Sequence, residues 1–374
     1  MKLQLNIDNF LTEYWQKKPL LIRNAIPGFI PPLNANELAG LAMEEDVESR
    51  IIETQADGWG LSHGPFHESD YTRPAPWTLL VQAVDHYIPK AAELLDLLDF
   101  IPNWRIDDVM VSYATDGGSV GPHYDNYDVF LLQGEGQRRW NLGQLCDHNS
   151  ALLPHPDLRI LDEFQCNTSY TLGPGDMLYI PPGVAHWGLA EGECTTWSLG
   201  LRAPRINALL SRWIDEMLEH VNPEKFYCDP SLSAATLLGE IRPEDIERAK
   251  TQLLQALGQK IPDHWFGELV TEPRYDLQLS EGGIQNEREL ISNSAVTAAT
   301  LLASAKLAWQ KTEAGIDLFA NGECMPLSRG LSPAVIALCK DGMLTGPPLI
   351  ELQQCAEGQE MLVQLLCLAC ISIE

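Results

Sequence analysis

From the N-terminus to about residue 205 the apolar positions fall in short runs rather than along a helical stripe. DDVMVSYA, YDVFLLQG, RRWNLG, SYTLG, DMLYIPP and TTWSLGLRAP run or alternate apolar for four to eight residues and end at turn-forming residues. Runs of this kind predict β-strands, and so many short ones predict an antiparallel sandwich or barrel. Gly173-Pro174-Gly175-Asp176 predicts a tight turn ahead of a strand at 177–180.

Past residue 205 the period lengthens. Ala208, Leu209, Trp213, Ile214, Met217 and Leu218 recur every three to five positions and predict an amphipathic helix after Pro204. A second helix is expected from Pro243, carrying Ile246, Ala249, Leu253, Leu254 and Leu257. The charged, proline-bearing stretch 271–288 reads as a linker. In LAWQKTEAGIDLFANGECMPL two strand-like runs flank Asn321-Gly322, a strong hairpin signal. A helix near 333–340, a Pro347-Pro348 break and terminal helices follow, a hairpin-plus-helix pattern like that of a winged helix. The expected organisation is a mainly β jelly-roll barrel at 1–205, a helical region at 206–270 and an α+β winged-helix-like domain at 271–374.

Charge narrows the partners. Lys and Arg number 25 against 52 Asp and Glu, a formal net charge of −27. Such a surface repels phosphate backbones, so direct nucleic-acid binding is not expected. It suits a basic protein partner, although plain solubility is the simpler reading of charge taken alone. No apolar run approaches the roughly 18 residues of a membrane span, and the N-terminus lacks a signal-peptide pattern, so a cytoplasmic location is expected. Nine cysteines without regular spacing do not read as a disulfide framework. Cys367 and Cys370 lie in an apolar stretch and read as small buried hydrophobes.

Two segments carry candidate metal chemistry. In GPHYDNYDVFLLQG, His123 and Asp125 are one residue apart, and positions i and i+2 of a strand share a face. GDMLYIPPGVAHWG then offers His186 after a strand and a Pro-Pro-Gly turn. Either histidine alone reads as a hydrogen-bonded barrel residue. Together the three make the two-histidine, one-carboxylate facial triad of non-haem iron(II) oxygenases, which leaves coordination positions open for a 2-oxo acid and dioxygen.

These strings also resemble a known family. FLTEYWQKKPLLIRNAI, LAGLAMEEDVESR, LSHGPF, WTLLVQAVDH, WRIDDVMVSYATDGGSVGPHYDNYDVFLLQGEGQRRWNLG, PHPDL, LGPGDMLYIPPGVAHWG and SLGLRAP resemble the JmjC-domain, cupin-type bacterial ribosomal oxygenases across most of residues 1–205. The resemblance implies a double-stranded β-helix, Fe(II) as cofactor, 2-oxoglutarate and O2 as co-substrates, and His123, Asp125 and His186 as ligands. It places Arg138 opposite the distal carboxylate of 2-oxoglutarate, with Ser112 and Thr196 as hydroxyl donors nearby. Arg139 belongs on the other face of that strand. The implied reaction is hydroxylation of a carbon atom coupled to decarboxylation of 2-oxoglutarate to succinate. The implied substrate is an arginine β-carbon of a basic large-subunit ribosomal protein, and the implied assembly is a homodimer through the helical region. Asp116 is a candidate anion for the guanidinium, and Tyr113 and Tyr127 are candidate rings against it. A JmjC histidine hydroxylase or N-methyl-lysine demethylase would share the iron centre, and a non-enzymatic metal-binding cupin would share the triad.

Overall fold

A computed structural model describes residues 1–55, 58–74, 76–234, 237, 239–274 and 284–374, with only the backbone at 284–287. The described residues form two compact units, Met1–Ala203 and Pro204–Glu374. Half of the linker expected at 271–288, residues 275–283, lies outside the described residues. No helix among them is long and apolar enough to cross a membrane.

The first unit holds β1 (Leu20–Ile22), β2 (Ser49–Gln55), β3 (Gly58–His63), β4 (Trp77–Val81), β5 (Ile106–Ala114), β6 (Val129–Gln133), β7 (Gln137–Leu145), β8 (Thr168–Leu172), β9 (Met177–Ile180), β10 (Val184–Glu191) and β11 (Cys194–Leu201). They pair antiparallel in two sheets, β1-β9-β6-β11-β5-β4-β2-β3 and β10-β7-β8, the two walls of a jelly-roll. The Gly173–Asp176 turn joins β8 to β9, with Gly175 at φ +83° and the Asp176 carboxylate accepting the Gly173 N–H at 3.1 Å.

Period-two alternation sorts the side chains. Val109, Val111, Phe130, Leu132, Trp197 and Leu199 join an outer core with Phe10 of α1 (Ile7–Glu13), Leu38 of α2 (Ala35–Leu41) and Ala91 of α3 (Pro89–Ala92). Their strand neighbours Ser112, Gln133, Thr196 and Ser198 are buried too, on the opposite face. There the apolar residues are Val129, Leu131, Trp140, Leu142, Leu178 and Ile180. The barrel therefore has an apolar coat and an interior partly lined with polar groups. Its aromatic coat is locked at Asp128, which is fully buried. Asp128 accepts from Tyr179 Oη at 2.6 Å, Gln16 Nε2 at 2.9 Å and Arg105 Nη2 at 3.1 Å, so every donor is lost together if the carboxylate goes.

The second unit begins with α4 (Ile206–His220), α5 (Pro243–Leu257), α6 (His264–Thr271) and α7 (Ile284–Ser292). There follow β12 (Ala298–Leu301), β13 (Leu307–Lys311), β14 (Gly315–Ala320), β15 (Glu323–Ser328), α8 (Ser332–Asp341), β16 (Met343–Thr345), α9 (Gly346–Gln353), α10 (Ala356–Cys367) and β17 (Ile371–Ile373). Asn321 and Gly322 both take positive φ, 45° and 90°, between β14 and β15, the two-residue turn their sequence signals. The wing has a third strand, β13, paired to the other edge of β14. Pro347 and Pro348 do more than break the chain: they open α9, where a missing N–H costs nothing. The boundary expected at 270/271 meets the end of α6, a helix that packs on β13, β14 and β15. Burial pushes the Cys370 thiol up to about 12, in keeping with a small hydrophobe.

Asp128→Ala should destabilise the chain by about 3–5 kcal/mol, because it strands the buried Tyr179 hydroxyl and the half-buried Arg105 guanidinium and releases Gln16. Tyr179→Phe, which removes one donor to a charged acceptor, should cost about 1.5–3 kcal/mol. Urea unfolding followed by tryptophan fluorescence measures both, and equal, small shifts would show that Asp128 does not lock the coat.

Candidate metal and co-substrate site

The loop from β5 to β6 brings His123 and Asp125 to the open face of β10. Their segment was expected to be a strand. Instead it is an extended loop that pairs with β10 at one point, an isolated antiparallel bridge between His123 and His186. Gly121, Pro122 and Asn126 punctuate it and prevent a longer ladder. At the bridge the His123 N–H donates to the His186 carbonyl at 3.0 Å, and the return bond is 2.8 Å. On the β7 side the register of β10 slips between Val184 and His186, whose partners are Leu145 and Leu142. Gly183, at φ +79°, ends the Pro-Pro-Gly turn and donates its N–H to the Asp125 carbonyl at 2.8 Å. One bridge and one turn thus hold both ligand segments.

The three side chains converge as their spacing predicts. One ligand atom from each of His123, Asp125 and His186 lies within 4.8 Å of the others. His186 Nε2 is 3.6 Å from Asp125 Oδ2, and the two imidazole centroids are 4.2 Å apart. His123 Nδ1 is 3.0 Å from the Gly121 carbonyl and His186 Nδ1 is 2.9 Å from the Val184 carbonyl. A carbonyl only accepts, so both Nδ1 atoms carry the proton and both Nε2 lone pairs face the cluster. Burial, aided by His123 and opposed by Asp125, pulls the His186 imidazole down to about 4, so it is neutral near pH 7. Two imidazoles beside a carboxylate are a donor set that fits a divalent transition metal.

Arg138, Ser112 and Thr196 also meet. Thr196 pairs directly with Ser112 on β5 and with Gln133 on β6, so the three form one row on the large sheet. From the facing sheet Arg138, only 3% exposed, sends Nη1 to Ser112 Oγ at 3.1 Å and Thr196 Oγ1 at 3.3 Å. Its Nε is buried without a hydrogen-bond partner, as is the Trp140 Nε1 beside it. Burial pulls the guanidinium's pKa down, with the Cys194 thiol opposing, and among the described residues no carboxylate forms an ion pair with it. Unsatisfied donors in a dry interior fit an incoming carboxylate. Trp140 lies between the two halves of the site, 5.9 Å from the His186 ring and 5.4 Å from the guanidinium carbon.

Sequence reasoning missed Gly188, two residues beyond His186. A Cβ there would stand 3.1 Å from Arg138 Nε and 2.8 Å from the Trp140 ring, so only glycine lets that edge settle over the strand. Two residues of strand rise about 6.6 Å, which sets the span from metal ligands to guanidinium at the length of a short dicarboxylate. Gly188 follows His186 at the i+2 spacing of one strand face, and that signal was available. Arg139 points outward to Glu191 at 3.3 Å, as alternation requires.

The three substrate candidates separate. Tyr127 sits beside the triad: its hydroxyl donates to Asp125, and burial of that hydroxyl, then the Asp125 charge, push its pKa well above the usual value. Asp116 is exposed, and its Oδ1 accepts the Gly192 N–H at 2.8 Å, tying its loop to the β10–β11 turn. Tyr113 alternates with Ser112 onto the outer face, where it packs on Trp77 and hydrogen-bonds Glu193. It is not brought to the metal cluster.

A double-stranded β-helix with a His-Asp-His cluster at one end and a buried arginine facing the interior defines a JmjC-type oxygenase fold. Residues 93–209 match the JmjC domain family, and residues 260–368 match the ROXA-like winged helix family. The chain is 36% identical over 347 residues, 92% of its length and 91% of the relative's, to the Escherichia coli ribosomal protein uL16 3-hydroxylase. It is 35% identical to a probable ribosomal oxygenase of Haemophilus influenzae over 89% of this chain and 85% of that one. The solved structure of E. coli YcfD in complex with cobalt and 2-oxoglutarate, 32% identical, superposes with a TM-score of 0.82 over 100% of this chain and 99% of that one. The chain belongs to the bacterial JmjC ribosomal oxygenases.

His123→Ala, Asp125→Ala and His186→Ala should each weaken cobalt(II) binding at least about 100-fold, since each removes one of three ligands. Calorimetric titration of the purified variants checks this, and near-native affinity in any one of them would remove that residue from the ligand set.

Proposed function

We propose that this chain is an iron(II)- and 2-oxoglutarate-dependent oxygenase that hydroxylates an arginine side chain, at its β-carbon, in the large-subunit ribosomal protein uL16. The observation that carries the co-substrate is the buried Arg138 edge, without a counter-ion among the described residues, a short strand rise from the triad. His123, Asp125 and His186 would hold iron(II), and Arg138 with Ser112 and Thr196 would hold the distal carboxylate. Iron(II) and 2-oxoglutarate, once bound, supply the chemistry in which dioxygen gives one oxygen atom to the substrate carbon and one to succinate, with release of carbon dioxide. The protein's own task is to orient and to keep water out, and no side chain has to shuttle a proton.

The near full-length likeness to a uL16 hydroxylase supports this substrate over the alternatives. The relatives named as lysine-specific demethylase and histidyl-hydroxylase match less: that of Culex quinquefasciatus is 26% identical over 48% of this chain. A charge of −27 suits a basic ribosomal protein in the cytoplasm and disfavours binding to free RNA. Tyr127, hydrogen-bonded to Asp125, is the ring for the guanidinium, whereas Asp116 is tied to Gly192, about 20 Å of strand past His186, and is too far along β10 to be its anion. A non-enzymatic cupin has no use for a buried carboxylate anchor.

The test is mass spectrometry of uL16 after incubation with the enzyme, iron(II) and 2-oxoglutarate. A gain of one oxygen atom on an arginine is expected; a loss of methyl mass, or oxidation of a histidine, would reassign the reaction. Arg138→Ala should raise the 2-oxoglutarate requirement by about 100-fold or more, as a charged hydrogen-bonded anchor is lost.

We also propose a homodimer through residues 206–257. Met217 of α4 is buried, yet Ile206, Leu210, Ile214 and Leu218 form an i, i+4 row with 37–78% exposure. On α5 no residue is buried, while Ile246, Leu253 and Leu254 are 48–68% exposed. Apolar surface of this extent is stabilised by a partner. Light scattering should give twice the chain mass, and Leu210→Glu with Leu254→Glu should give one chain mass; a wild-type monomer at micromolar concentration would exclude the dimer.

A further inference from the structure

Behind the ligands runs a second line of hydrogen bonds. Trp187 follows His186 on β10 and faces the other way, where its Nε1 donates to Ser119 Oγ at 2.9 Å. Ser119 is 1% exposed, and the same Oγ accepts the Gly121 N–H at 3.1 Å. The Gly121 carbonyl in turn accepts from His123 Nδ1 at 3.0 Å. A continuous path therefore joins the neighbour of one metal ligand to the imidazole of the other. Phe164 packs edge-on against Trp187, with centroids 5.8 Å apart at 84°. On its far side Gly121 takes φ +83°, and a Cβ there would meet Trp59 and Ile160 at 3.1–3.3 Å, so that residue is held closely from both sides.

The backbone shows why the path is needed. The loop before His123 is bonded to β10 at two places: Gly117 and Gly118 to Ala190, at 3.0 and 3.1 Å, and His123 to His186. Four loop residues, 119–122, lie between those anchors, against three on β10, 187–189. The surplus residue bows the loop away from the strand, and among the described residues the Trp187 indole is the hydrogen bond that spans the bow. The bowed segment contains the peptide that fixes the His123 ring. Loss of the indole bond leaves the strand pairing intact and frees the Gly121 carbonyl to turn, which loosens the Nδ1–H tautomer and the aim of Nε2.

We propose that Trp187 and Ser119 are positioning residues that orient His123 for the metal, an inference that rests on the metal reading of the triad. The test is calorimetric titration with cobalt(II), alongside thermal unfolding of the same metal-free samples. Trp187→Phe keeps the packing on Phe164 and removes the donor; Ser119→Ala removes the acceptor. Each should weaken cobalt binding about tenfold, within the range for ligand-orienting partners. The double variant should lose no more than either single one, because both changes break the same path. Unchanged affinity in either variant, or losses that multiply in the double, would overturn the proposal. So would a lowered melting temperature with full cobalt affinity in the folded fraction, which is what a purely structural tie would give. His123→Ala serves as the control: if it bound cobalt like the wild type, the triad reading itself would fail, a result separate from any effect at Trp187 or Ser119.

Discussion

A guanidinium withdrawn from water without a carboxylate is the constraint around which the barrel is arranged. Arg138 has nowhere to send its Nε proton, and the two hydroxyls at Nη1 are neutral acceptors that offset only part of the lost hydration. The interior must therefore keep a place for an anion. Everything adjoining that place follows from it: a row of Ser112, Thr196 and Gln133 set by strand register, a glycine at 188 where a side chain would collide, and Trp140 as the wall between cation and metal. The carboxylate of Asp125 stands at the other end, so the dianion that suits Arg138 meets like charge there unless a cation lies between. The charge pattern of the protein's own side chains thus suits a metal and a dicarboxylate together.

Much of this was legible in the sequence because strand periodicity is short and strict. Spacing points to His123-x-Asp125 and to His186 after a Pro-Pro-Gly turn, whereas Arg138 comes from resemblance and alternation only sends Arg139 to the other face. Ser112 and Thr196 were found by resemblance, and register explains why they coincide. What the sequence hid was the geometry of exceptions. The His123–Asp125 segment is a bowed loop with a single bridge, and a hydropathy pattern cannot distinguish that from a strand. Tyr113 is one residue from Ser112, yet that single step places it in the outer core. Gly188 carries no chemistry of its own, and its meaning emerges only when the atoms above it are known.

The second unit was read less fully, for a physical reason. Amphipathic spacing gives a helix and its apolar face but not what covers that face. On α4 the stripe divides, Met217 turning into the unit that includes α6 and the Ile206-Leu210-Ile214-Leu218 row staying exposed. The wing was legible at Asn321-Gly322, where a two-residue turn demands positive φ twice, and was missed at β13, whose pairing is not written in a local signal.

Tyr127 joins the two ends of the argument. Its hydroxyl is turned inward to the Asp125 carboxylate while the residue remains 43% exposed, so one side chain is at once a bond to a metal ligand and part of the surface. A side chain that packs on the exposed part of that ring covers the remaining water at the Asp125 hydrogen bond, and a bond cleared of water is electrostatically stronger. On the proposed reading, a substrate side chain seated on that ring would act on the Asp125 carboxylate without any movement of the sheets. Because the proposed reaction does not route a proton through a side chain, discrimination among substrates falls to contacts of this kind beside the triad.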